Sequence, residues 1–518
     1  MIARKYDDTR LIISDLRPQD KLEIRRNCIN VNTRPDGSSM VCDDNLFNRL
    51  YLHMELPEEL LFNSTSSIQK SSNVSFNPSL RDYQIEDLKK MLSLKNVLNC
   101  NKMGYGKTLE ATEYCRMLGL RKILIVCPKA IIEQWKDHFA KWWPEVFCLI
   151  REDPPTILDN GSSYPEGIIY IINYEWLRNN SHLASLKVFR WDIVICDESH
   201  KIKNKDSKLA QAVKQIPTLH KMAMTGTPIL NKPNDLWSQL HWFGIFYSGR
   251  NYWEFSKNFC EFDTRYGFQF LGLTPSGTRR SLLSEGLSKI SVGGQTRNIT
   301  DGKNYIDISL SMTNGQKRLY SQIKKLAIDS LEEEGITINS AMDALVKLMQ
   351  VTSNPGKLNQ DLKNPKFEWI KEQLDNVEGK LVVFSKHAET VKALQNFLGE
   401  NVCGKIIGDM NSLDRKRVKD IFTNSSAEMK VLAGTIGALG VGIDGLQKVS
   451  HTVIFIDKDW SPSLNEQAED RVNRFGQKEI VNVYTLKMKG TIDMHIEQVV
   501  NKKLLDIEEL RECIQLFA

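Results

Sequence analysis

Short apolar runs recur along the chain, and each is followed by polar or loop residues and then by a helical pattern. In the first half of the chain these runs are Asn96–Cys100, Lys122–Pro128, Gly167–Tyr174, Asp192–Asp197 and Lys221–Thr225. They are apolar on both faces, which is typical of parallel strands covered by helices on both sides. The pattern predicts an α/β domain, with its functional residues at the carboxyl ends of the strands.

A second series follows an interval, from about residue 240 to 355, in which that rhythm is broken. The interval carries amphipathic helical patterns at Tyr252–Cys260 and Asn314–Leu331 and a predicted basic loop at Ser276–Arg280. The second series comprises Lys380–Ser385, Lys405–Gly408, Lys430–Ala433, Thr452–Ile456 and Val481–Leu486. It predicts a second α/β domain, with helical protrusions between the two.

The first 77 residues differ from both series. They carry short alternating segments, Arg10–Ser14 and Leu22–Arg25, and a turn signal at Arg34–Gly37. A run rich in serine and asparagine, Asn63–Ser75, indicates a linker. Since 518 residues give room for about three domains, we predict an accessory domain with a linker at 1–77, a first α/β domain at 78–300 and a second at 301–518.

The segment with the clearest chemical pattern is Asn101–Thr108, whose sequence is Asn-Lys-Met-Gly-Tyr-Gly-Lys-Thr. It follows the predicted strand at Asn96–Cys100 and precedes a predicted helix at Leu109–Leu118. Strand, glycine-containing loop and helix form the context in which Gly-Lys-Thr binds a nucleoside triphosphate. The strict pattern has glycine where this chain has Asn101, so an ordinary glycine-rich turn before a helix is the alternative.

Each residue type in this loop suits a triphosphate. Gly104 and Gly106 let backbone N–H groups close around phosphate oxygens with no Cβ in the way. Lys107 can place its ammonium on the β- and γ-phosphates, and Thr108 can hold Mg²⁺ through its hydroxyl. The positive end of the following helix also points at the anion.

An acidic pair ends the fourth apolar run. Asp197 would bind Mg²⁺, and Glu198 would orient and activate the attacking water. Acidic pairs at strand ends also cap helices, and the following Ser199-His200 fits that reading. The phosphate loop upstream in the same predicted sheet favours the catalytic interpretation.

Two further positions complete the candidate nucleotide site. Gln84, before the phosphate loop, can pair both hydrogen-bonding edges of adenine through its amide, or it can be a solvated residue at a helix start. The second domain has no phosphate loop but carries Arg471 and Arg474, which we predict to lie one helical step apart on one face of a helix. Two arginines are what a γ-phosphate bound by the first domain would need. The alternative is a surface helix in which both arginines pair with Glu469 and Asp470.

Composition narrows the picture only a little. The hydrophobic content of 41%, the charged content of 26% and the net charge of +5 are ordinary for a globular protein. Cys100, Cys127 and Cys196 end apolar strands, so we expect buried thiols rather than zinc ligands or disulfides. The N-terminus has no signal-peptide profile and no run spans a bilayer, so we expect a cytoplasmic protein in a prokaryote or virus and a nuclear one in a eukaryote.

Taken together, the motifs resemble those of the Snf-type (sucrose-non-fermenting) DNA translocases of helicase superfamily two. The resemblance covers residues 78 to about 500. It rests on motifs in the family's order, namely Leu80–Gln84, Met103–Thr108, Ile125–Lys129, Gln134-Trp135, Asp197–Asn204, Thr225–Pro228, Val383–Ser385, Trp460–Pro462 and Gln467–Gln477. The form of the acidic motif and of Thr435–Gly442 looks most like the annealing-helicase or fork-remodelling branch.

The resemblance implies two RecA-like domains and a motor that hydrolyses ATP to move along double-stranded DNA, remodelling the DNA or displacing bound proteins in repair, replication or transcription. It also implies ATP and Mg²⁺ as cofactors, and double-stranded DNA, contacted through its backbone, as the partner of a monomer. It assigns nucleotide contacts to Met103, Tyr105, Gly442 and Asp444 and a catalytic role to Gln467. It assigns to His200, Thr225, Gly226 and Thr227 the role of coupling the nucleotide to the cleft between the two domains. It assigns DNA contacts to strand-end residues, namely Pro128, Lys129, Asn173, Tyr174, Lys386 and Thr435.

The chain also departs from the family. The start of the phosphate loop, acid-rich in the family, is Asn101-Lys102 here, and Leu287–Ile290 stands where paired arginines are usual. No chromatin-reading module is evident. A strand-separating DNA or RNA helicase and a non-catalytic DNA scaffold are the alternatives, and residues 1–77 could bind a protein partner that directs the motor.

Overall fold

The computed structural model describes residues 1–7, 10–28, 31–35, 37–43, 46–52, 54, 75–102, 104–150, 168–226, 235–245, 251–263, 269–273, 277–293, 302–332, 338–377, 379–424, 426–440, 443–474, 476–496 and 498. The chain forms two compact units, Met1–Thr296 and Arg297–Leu504. Within the described ranges, no helix is both long enough and apolar enough to cross a membrane.

The first unit opens with a four-stranded antiparallel sheet of order β1-β2-β4-β3. Its elements are β1 (Ile2–Asp7), β2 (Arg10–Ser14), α1 (Pro18–Asn27), β3 (Asn32–Thr33), β4 (Met40–Asp43) and α2 (Leu46–Tyr51). Alternate residues of β2 and β4 are buried with Ile24 of α1 in one core. The alternating segment Leu22–Arg25 lies in α1, because Pro18 and the Arg17 N–H bond to the Asp20 carboxylate start a helix there.

A seven-stranded parallel sheet of order β13-β5-β10-β9-β6-β8-β7 forms the centre of the first unit. The strands are β5 (Asn96–Asn99), β6 (Lys122–Cys127), β7 (Phe147–Ile150), β8 (Ile168–Asn173), β9 (Trp191–Asp197), β10 (Thr218–Met224) and β13 (Ser291–Val292). The helices interleaved with them are α3 (Asp82–Ser93), α4 (Lys107–Met117), α5 (Ile132–Trp142), α6 (Asn180–Val188) and α7 (Lys208–Lys214).

Both faces of this sheet are buried, as the apolar runs predict. Leu124, Val194 and Cys196 belong to the core on one face, and their neighbours Ile123, Ile125, Ile193 and Ile195 belong to the core on the other. The alternation follows from the two-residue period of a strand. The strand-end thiols of Cys100, Cys127 and Cys196 are buried, and none of the three forms a disulfide within the described part of the chain.

The other described elements of the first unit are mostly helices. It contains α8 (Asp235–Trp242), α9 (Asn251–Phe259), the antiparallel hairpin β11 (Cys260–Asp263) and β12 (Gln269–Leu273), and α10 (Gly277–Ser288). The prediction of a loop at Ser276–Arg280 is wrong for residues 277–280, which begin α10. Tertiary packing outweighs the weak local helix signal there, because Leu282, Leu283 and Leu287 of this helix are buried.

The second unit contains a six-stranded parallel sheet of order β14-β19-β18-β15-β17-β16. The strands are β14 (Lys303–Leu310), β15 (Leu381–Ser385), β16 (Cys403–Ile406), β17 (Val431–Thr435), β18 (Thr452–Phe455) and β19 (Val481–Met488). The helices are α11 (Asn314–Glu332), α12 (Ile338–Ser353), α13 (Pro365–Asn376), α14 (Ala388–Leu398), α15 (Ser412–Thr423), α16 (Ile436–Leu439) and α17 (Pro462–Glu469).

This sheet is also buried on both faces, with Val382 and Phe384 in one core and Leu381 and Val383 in the other. The predicted α/β class, with two parallel-sheet domains, is confirmed. The strand β14, which the sequence pattern does not reveal, lies at the sheet edge, and its side chains are half-buried or exposed.

Candidate active site

The phosphate loop joins β5 to α4 and turns at two glycines with left-handed backbone angles. Gly104 has a φ of 82° and Gly106 a φ of 85°. The N–H groups of Gly106, Lys107 and Thr108 meet no protein acceptor within the described part of the chain. Donors left open at the start of a helix are suited to bind an anion.

Gln84 of α3 supports this loop from below. Its Nε2 donates to the carbonyl of Tyr105 at 3.2 Å, and its Oε1 accepts from the N–H of Arg81 at 3.1 Å. A Cβ on Gly106 would lie 2.5 Å from Gln84 Nε2. Both edges of the amide are therefore used within the protein, and pairing of Gln84 with adenine stays a prediction.

Tyr83 adds a second support that the sequence analysis did not identify. Its hydroxyl donates to the carbonyl of Tyr105 at 2.9 Å and accepts from the guanidinium of Arg81 at 2.8 Å. The Tyr83 and Tyr105 rings meet edge to face, with centroids 5.9 Å apart. The backbone of the loop is thus fixed at Tyr105 by two side chains of α3.

Lys107 folds back over the loop. Its Nζ donates to the carbonyl of Asn101 at 2.8 Å and to that of Lys102 at 3.3 Å, and the residue is buried. Backbone carbonyls are neutral partners for the ammonium. A phosphate entering the loop would therefore offer Lys107 a stronger, charged acceptor.

Asp197 is held at the end of β9 in a buried position. Its Oδ2 accepts from the indole N–H of Trp135 at 2.9 Å, and its Oδ1 accepts from the N–H of Glu198 at 2.9 Å. Burial and the adjacent Glu198 carboxylate raise the pKa of Asp197 to about 6, and the Lys107 ammonium opposes that rise. The lysine of the phosphate loop and the acid of β9 therefore share one electrostatic environment.

Glu198 adopts a left-handed backbone conformation, with φ 52° and ψ 51°. A non-glycine residue in this region costs about 1–3 kcal/mol and is common at functional sites. The turn ends β9 abruptly and starts a short 3₁₀ helix, Ser199–Ile202. This brings Glu198 Oε2 to 3.3 Å from His200 Nδ1.

The predicted coupling residues continue from that pair. His200 Nδ1 lies 3.5 Å from the hydroxyl of Thr225, and the Thr225 N–H donates to the carbonyl of Asn99 at 3.0 Å. Gly226 follows Thr225 in the described chain, whereas Met103 and Thr227 lie outside the described residues. The acidic motif is thereby connected to the base of the phosphate loop through polar contacts within one unit.

Strand register explains why these groups meet. Asp197 of β9 pairs with Met224 of β10, and Met224 pairs with Asn99 of β5. The three strands therefore end at the same level, and the residues that follow them share one sheet edge. Lys107, Asp197 and Glu198, which lie far apart in sequence, are brought to this edge.

The predicted DNA contacts of the first unit lie on neighbouring strands of that edge. Cys127, which precedes Pro128 and the exposed Lys129, pairs with Asn173. The Asn173 side chain accepts from the N–H of Trp176 at 2.8 Å. The expectation that Tyr174 contacts DNA is wrong for this structure. Its side chain is 0% exposed and its hydroxyl donates to the Asp197 carbonyl at 2.8 Å.

The corresponding residues of the second unit also share one edge. Ser385 of β15 pairs with Thr435 of β17. Asp457, after β18, accepts from the Ser385 hydroxyl at 2.8 Å and from the Lys386 N–H at 2.5 Å. The Lys386 ammonium lies 3.6 Å from Asp459. Asp457 is a buried organiser of this edge that the sequence analysis missed.

The two candidate arginines of the second unit follow α17 rather than lying on it. The helix ends at Glu469, and tight turns carry Arg471 and Arg474, so the prediction that one helical face presents them is wrong. Their guanidinium groups nevertheless converge on the carboxylate of Asp444. Arg471 also donates to the carbonyl of Gly440 at 2.8 Å.

Glu469 and Asp470 pair with Lys303 rather than with Arg471 or Arg474. Lys303, the first residue of β14, lies 2.9 Å from Glu469 and 2.7 Å from Asp470, and the Tyr305 hydroxyl donates to Glu469 at 3.0 Å. Burial lowers the pKa of Lys303, but the two carboxylates outweigh it and hold that pKa well above its usual value. The alternative in which the acids pair with Arg471 and Arg474 is therefore not observed.

Gln467 lies on α17 and is almost fully buried. Its Nε2 has no hydrogen-bond partner in the described parts of the chain. An orphaned amide donor at a candidate catalytic position is consistent with a ligand contact but does not identify one. Gly442, the remaining predicted nucleotide contact of this unit, lies outside the described residues.

Comparison with protein families places the chain. The SNF2-related domain matches residues 83–357, and the helicase conserved C-terminal domain matches residues 365–476. The first match alone covers more than half of the sequence. The chain belongs to the SNF2-related family. The predicted membership in the Snf-type family is thereby confirmed. Relatives are named as a chromatin-remodeling complex ATPase and a probable ATP-dependent DNA helicase, which agrees with the predicted enzyme class, an ATP hydrolase.

Curated relatives show the same relationship at low identity. The chain is 26% identical over 490 residues to the ISWI chromatin-remodeling complex ATPase ISW2 of Saccharomyces cerevisiae, which covers 87% of this chain and 42% of the relative. It is 26% identical over 502 residues to a human SWI/SNF-related regulator of chromatin, subfamily A member 1, covering 87% and 46%. The chain spans less than half the length of these relatives. Their names do not place it in the annealing-helicase branch, which stays a prediction.

A solved structure of a SWI2/SNF2 ATPase core from Sulfolobus solfataricus, in complex with double-stranded DNA, also matches. It is 21% identical, covers 89% of this chain and 96% of its own, and gives a TM-score of 0.36. A TM-score of this size supports no structural argument. The family assignment therefore rests on the sequence matches and on the two parallel sheets.

The residues of the SNF2-related chain fit a magnesium triphosphate. The open N–H groups of Gly106, Lys107 and Thr108 suit phosphate oxygens, and the Lys107 ammonium adjoins them. Thr108 and Asp197 supply hydroxyl and carboxylate oxygens, the ligands that Mg²⁺ prefers. Each Asp197 oxygen accepts one hydrogen bond from the described residues and keeps a further lone pair.

Gly106→Ala should weaken ATP binding by about tenfold or more, equivalent to about 1.4 kcal/mol. A methyl at this position collides with the Gln84 amide and also forces alanine to a φ of 85°. Gly119→Ala is the matched control, because Gly119 has a φ of 65° but nothing within 4 Å of the added Cβ. Calorimetric titration with ATP and Mg²⁺ measures both. Equal affinities in the two variants would contradict the packing that we describe.

Lys303→Met should destabilise the protein by about 3–5 kcal/mol, because Glu469 and Asp470 would remain buried without their cation. Lys392→Met is the control, since its pair with Glu389 is exposed and should leave stability essentially unchanged. Urea unfolding followed by circular dichroism makes the comparison. An unaltered midpoint in Lys303→Met would show that the buried pair is not needed.

Proposed function

We propose that this chain hydrolyses ATP with Mg²⁺ and uses the reaction to move along double-stranded DNA, remodelling the DNA or displacing proteins from it. The observation that supports this most strongly is the meeting of Lys107, Asp197 and Glu198 at one sheet edge beside the open N–H groups of the phosphate loop. The match to the SNF2-related family supports the same function.

Each residue has a distinct role in the proposed reaction. Lys107 exchanges its backbone carbonyl partners for the β- and γ-phosphates, which fixes the triphosphate for in-line attack. Thr108 and Asp197 hold Mg²⁺, which supplies neutralising charge on the phosphates when it is bound. Trp135 keeps the Asp197 carboxylate oriented by its hydrogen bond.

Glu198 orients the attacking water and accepts its proton. His200, 3.3 Å away, restrains the carboxylate and links it to Thr225. A change at the carboxylate would then reach Thr225, whose N–H is bonded at the end of β5. We propose this connection as the route by which hydrolysis alters the grip on DNA.

Arg471 and Arg474, in this proposal, stabilise the negative charge that develops on the phosphates during hydrolysis. Gln467 has a catalytic role beside them. Related phosphoryl-transfer sites gain on the order of 10³–10⁵ in rate from such an arginine. In this structure both guanidinium groups donate to the carboxylate of Asp444. Gly442 and Asp444 stay proposed nucleotide contacts.

Contacts with DNA are proposed for Pro128, Lys129 and Asn173 of the first unit and for Lys386 and Thr435 of the second. These residues lie at or just after the carboxyl ends of parallel strands, at one edge of each sheet. Contacts of this kind meet phosphates and sugars rather than base edges. Binding should therefore be independent of sequence and weakened by salt.

Lys107→Ala and Glu198→Gln should each lower ATP turnover by about a hundredfold or more. Lysine removal should also weaken ATP binding, whereas Glu198→Gln should keep it. Lys392→Ala and Glu389→Gln are matched controls, because both residues are exposed on α14. Turnover is measured by phosphate release and folding by circular dichroism. Turnover like that of the wild type in either site variant would refute the assignment.

Duplex DNA should stimulate turnover more than single-stranded DNA or RNA does. The stimulation should fall about tenfold or more as the salt concentration rises from 50 to 200 mM, since phosphate contacts release counterions. Preference for RNA or for single strands would replace the translocase with a strand-separating helicase. Binding to DNA without any turnover would indicate a scaffold.

A further inference from the structure

A buried polar cluster lies directly beneath the phosphate loop, and the roles proposed above do not use it. It consists of Asp87 of α3, Asn99 at the end of β5, Asn101 at the start of the loop, and Glu110 of α4. Asn99 and Glu110 are 0% exposed, Asn101 is 2% exposed and Asp87 is 8% exposed. Two carboxylates are thus enclosed together under a loop suited to bind an anion.

Asn101 joins these two carboxylates. Its Nδ2 donates to Asp87 Oδ2 at 2.9 Å and to the two oxygens of Glu110 at 3.2 and 3.1 Å. Asn99 adds a donor to Glu110 at 2.7 Å, and its Oδ1 accepts from the Asn101 N–H at 3.0 Å. Both donors of the Asn101 side chain therefore serve buried acids.

The same residue also holds the lysine of the loop. Lys107 Nζ donates to the Asn101 carbonyl at 2.8 Å. On the opposite side, a Cβ on Gly293 would lie 2.5 Å from Asn101 Oδ1 and 2.6 Å from its backbone nitrogen. Close packing from Gly293 and hydrogen bonds from the cluster leave Asn101 little freedom, so the position of its carbonyl is determined from below.

The chemistry of position 101 follows from this arrangement. An aspartate there has no donor to offer and would place a third carboxylate beside Asp87 and Glu110, which is unfavourable in a buried site. A glycine, which the strict loop pattern has at this place, would leave both acids without the bridging amide. An amide at 101 and a carboxylate at 110 therefore form a complementary donor and acceptor pair.

We propose that Asn101 is a positioning residue for Lys107, and that it works only as a matched pair with Glu110, the amide at 101 donating and the carboxylate at 110 accepting. The inference rests on the proposed function, because it assumes that Lys107 binds the phosphates of ATP. It deepens that function by explaining how this chain holds the lysine with asparagine at the start of its loop.

The test reverses the pair. Asn101→Asp should weaken binding of ATP with Mg²⁺ by about tenfold or more, because a buried charge-assisted bond is lost and a like charge is added. Binding of AMP should change much less, since it lacks the phosphates that Lys107 contacts. Adding Glu110→Gln to Asn101→Asp restores a donor opposite an acceptor with the number of carboxylates unchanged. The double variant should therefore recover most of the loss in ATP affinity.

Calorimetric titration with ATP and with AMP, together with thermal melting, measures all arms on the full chain. Asn101→Gly, which removes the amide without adding charge, should lower ATP affinity less than Asn101→Asp and keeps the test decisive if the latter fails to fold. Equal loss of ATP and AMP affinity, wild-type ATP affinity in the position-101 variants, or no recovery in the double variant would overturn the inference. If the wild type itself binds no ATP, the proposed function fails, and this inference fails with it.

Discussion

The common ending level of three parallel strands is the constraint on which the candidate site depends. β5, β10 and β9 pair so that Asn99, Met224 and Asp197 lie side by side. The phosphate loop, Thr225 and the acidic motif each begin where one of these strands stops. A shift of one residue in any pairing would exchange the two buried faces and separate the groups, so the apolar cores on both faces also fix the chemistry of the edge.

Several carboxylates are buried in the two units, and specific side chains satisfy them. Trp135 bonds Asp197, Asn101 bridges Asp87 and Glu110, and Lys303 joins Glu469 and Asp470. Burial and the Asp87 carboxylate raise the pKa of Glu110 to about 7, against the opposing hydrogen bonds of Asn99 and Asn101. Such groups cost stability when a partner is removed. They also hold the phosphate loop and the turns that carry Arg471 and Arg474 in definite positions.

Much of this could be predicted from the sequence because the signals are local. Short continuous apolar runs predict the central strands, and the glycines before Lys107 predict the loop. The exposed edge strand β14, with half of its residues in contact with solvent, carries no such run, and Lys303 therefore has no local signal. Tyr174 illustrates the opposite error, because a strand-end position does not reveal whether a side chain points to solvent or into the core. The Asn101 bridge needs three segments of chain at once, and only tertiary structure supplies them.

A crystal structure of the protein with Mg²⁺ and a non-hydrolysable ATP analogue would show most directly whether this sheet edge binds the nucleotide. We expect phosphate oxygens on the N–H groups of Gly106, Lys107 and Thr108, and the metal between Thr108 and Asp197. We also expect Lys107 Nζ to leave the Asn101 carbonyl for the phosphates. A triphosphate bound elsewhere, with Lys107 still on that carbonyl, would contradict this assignment of the site.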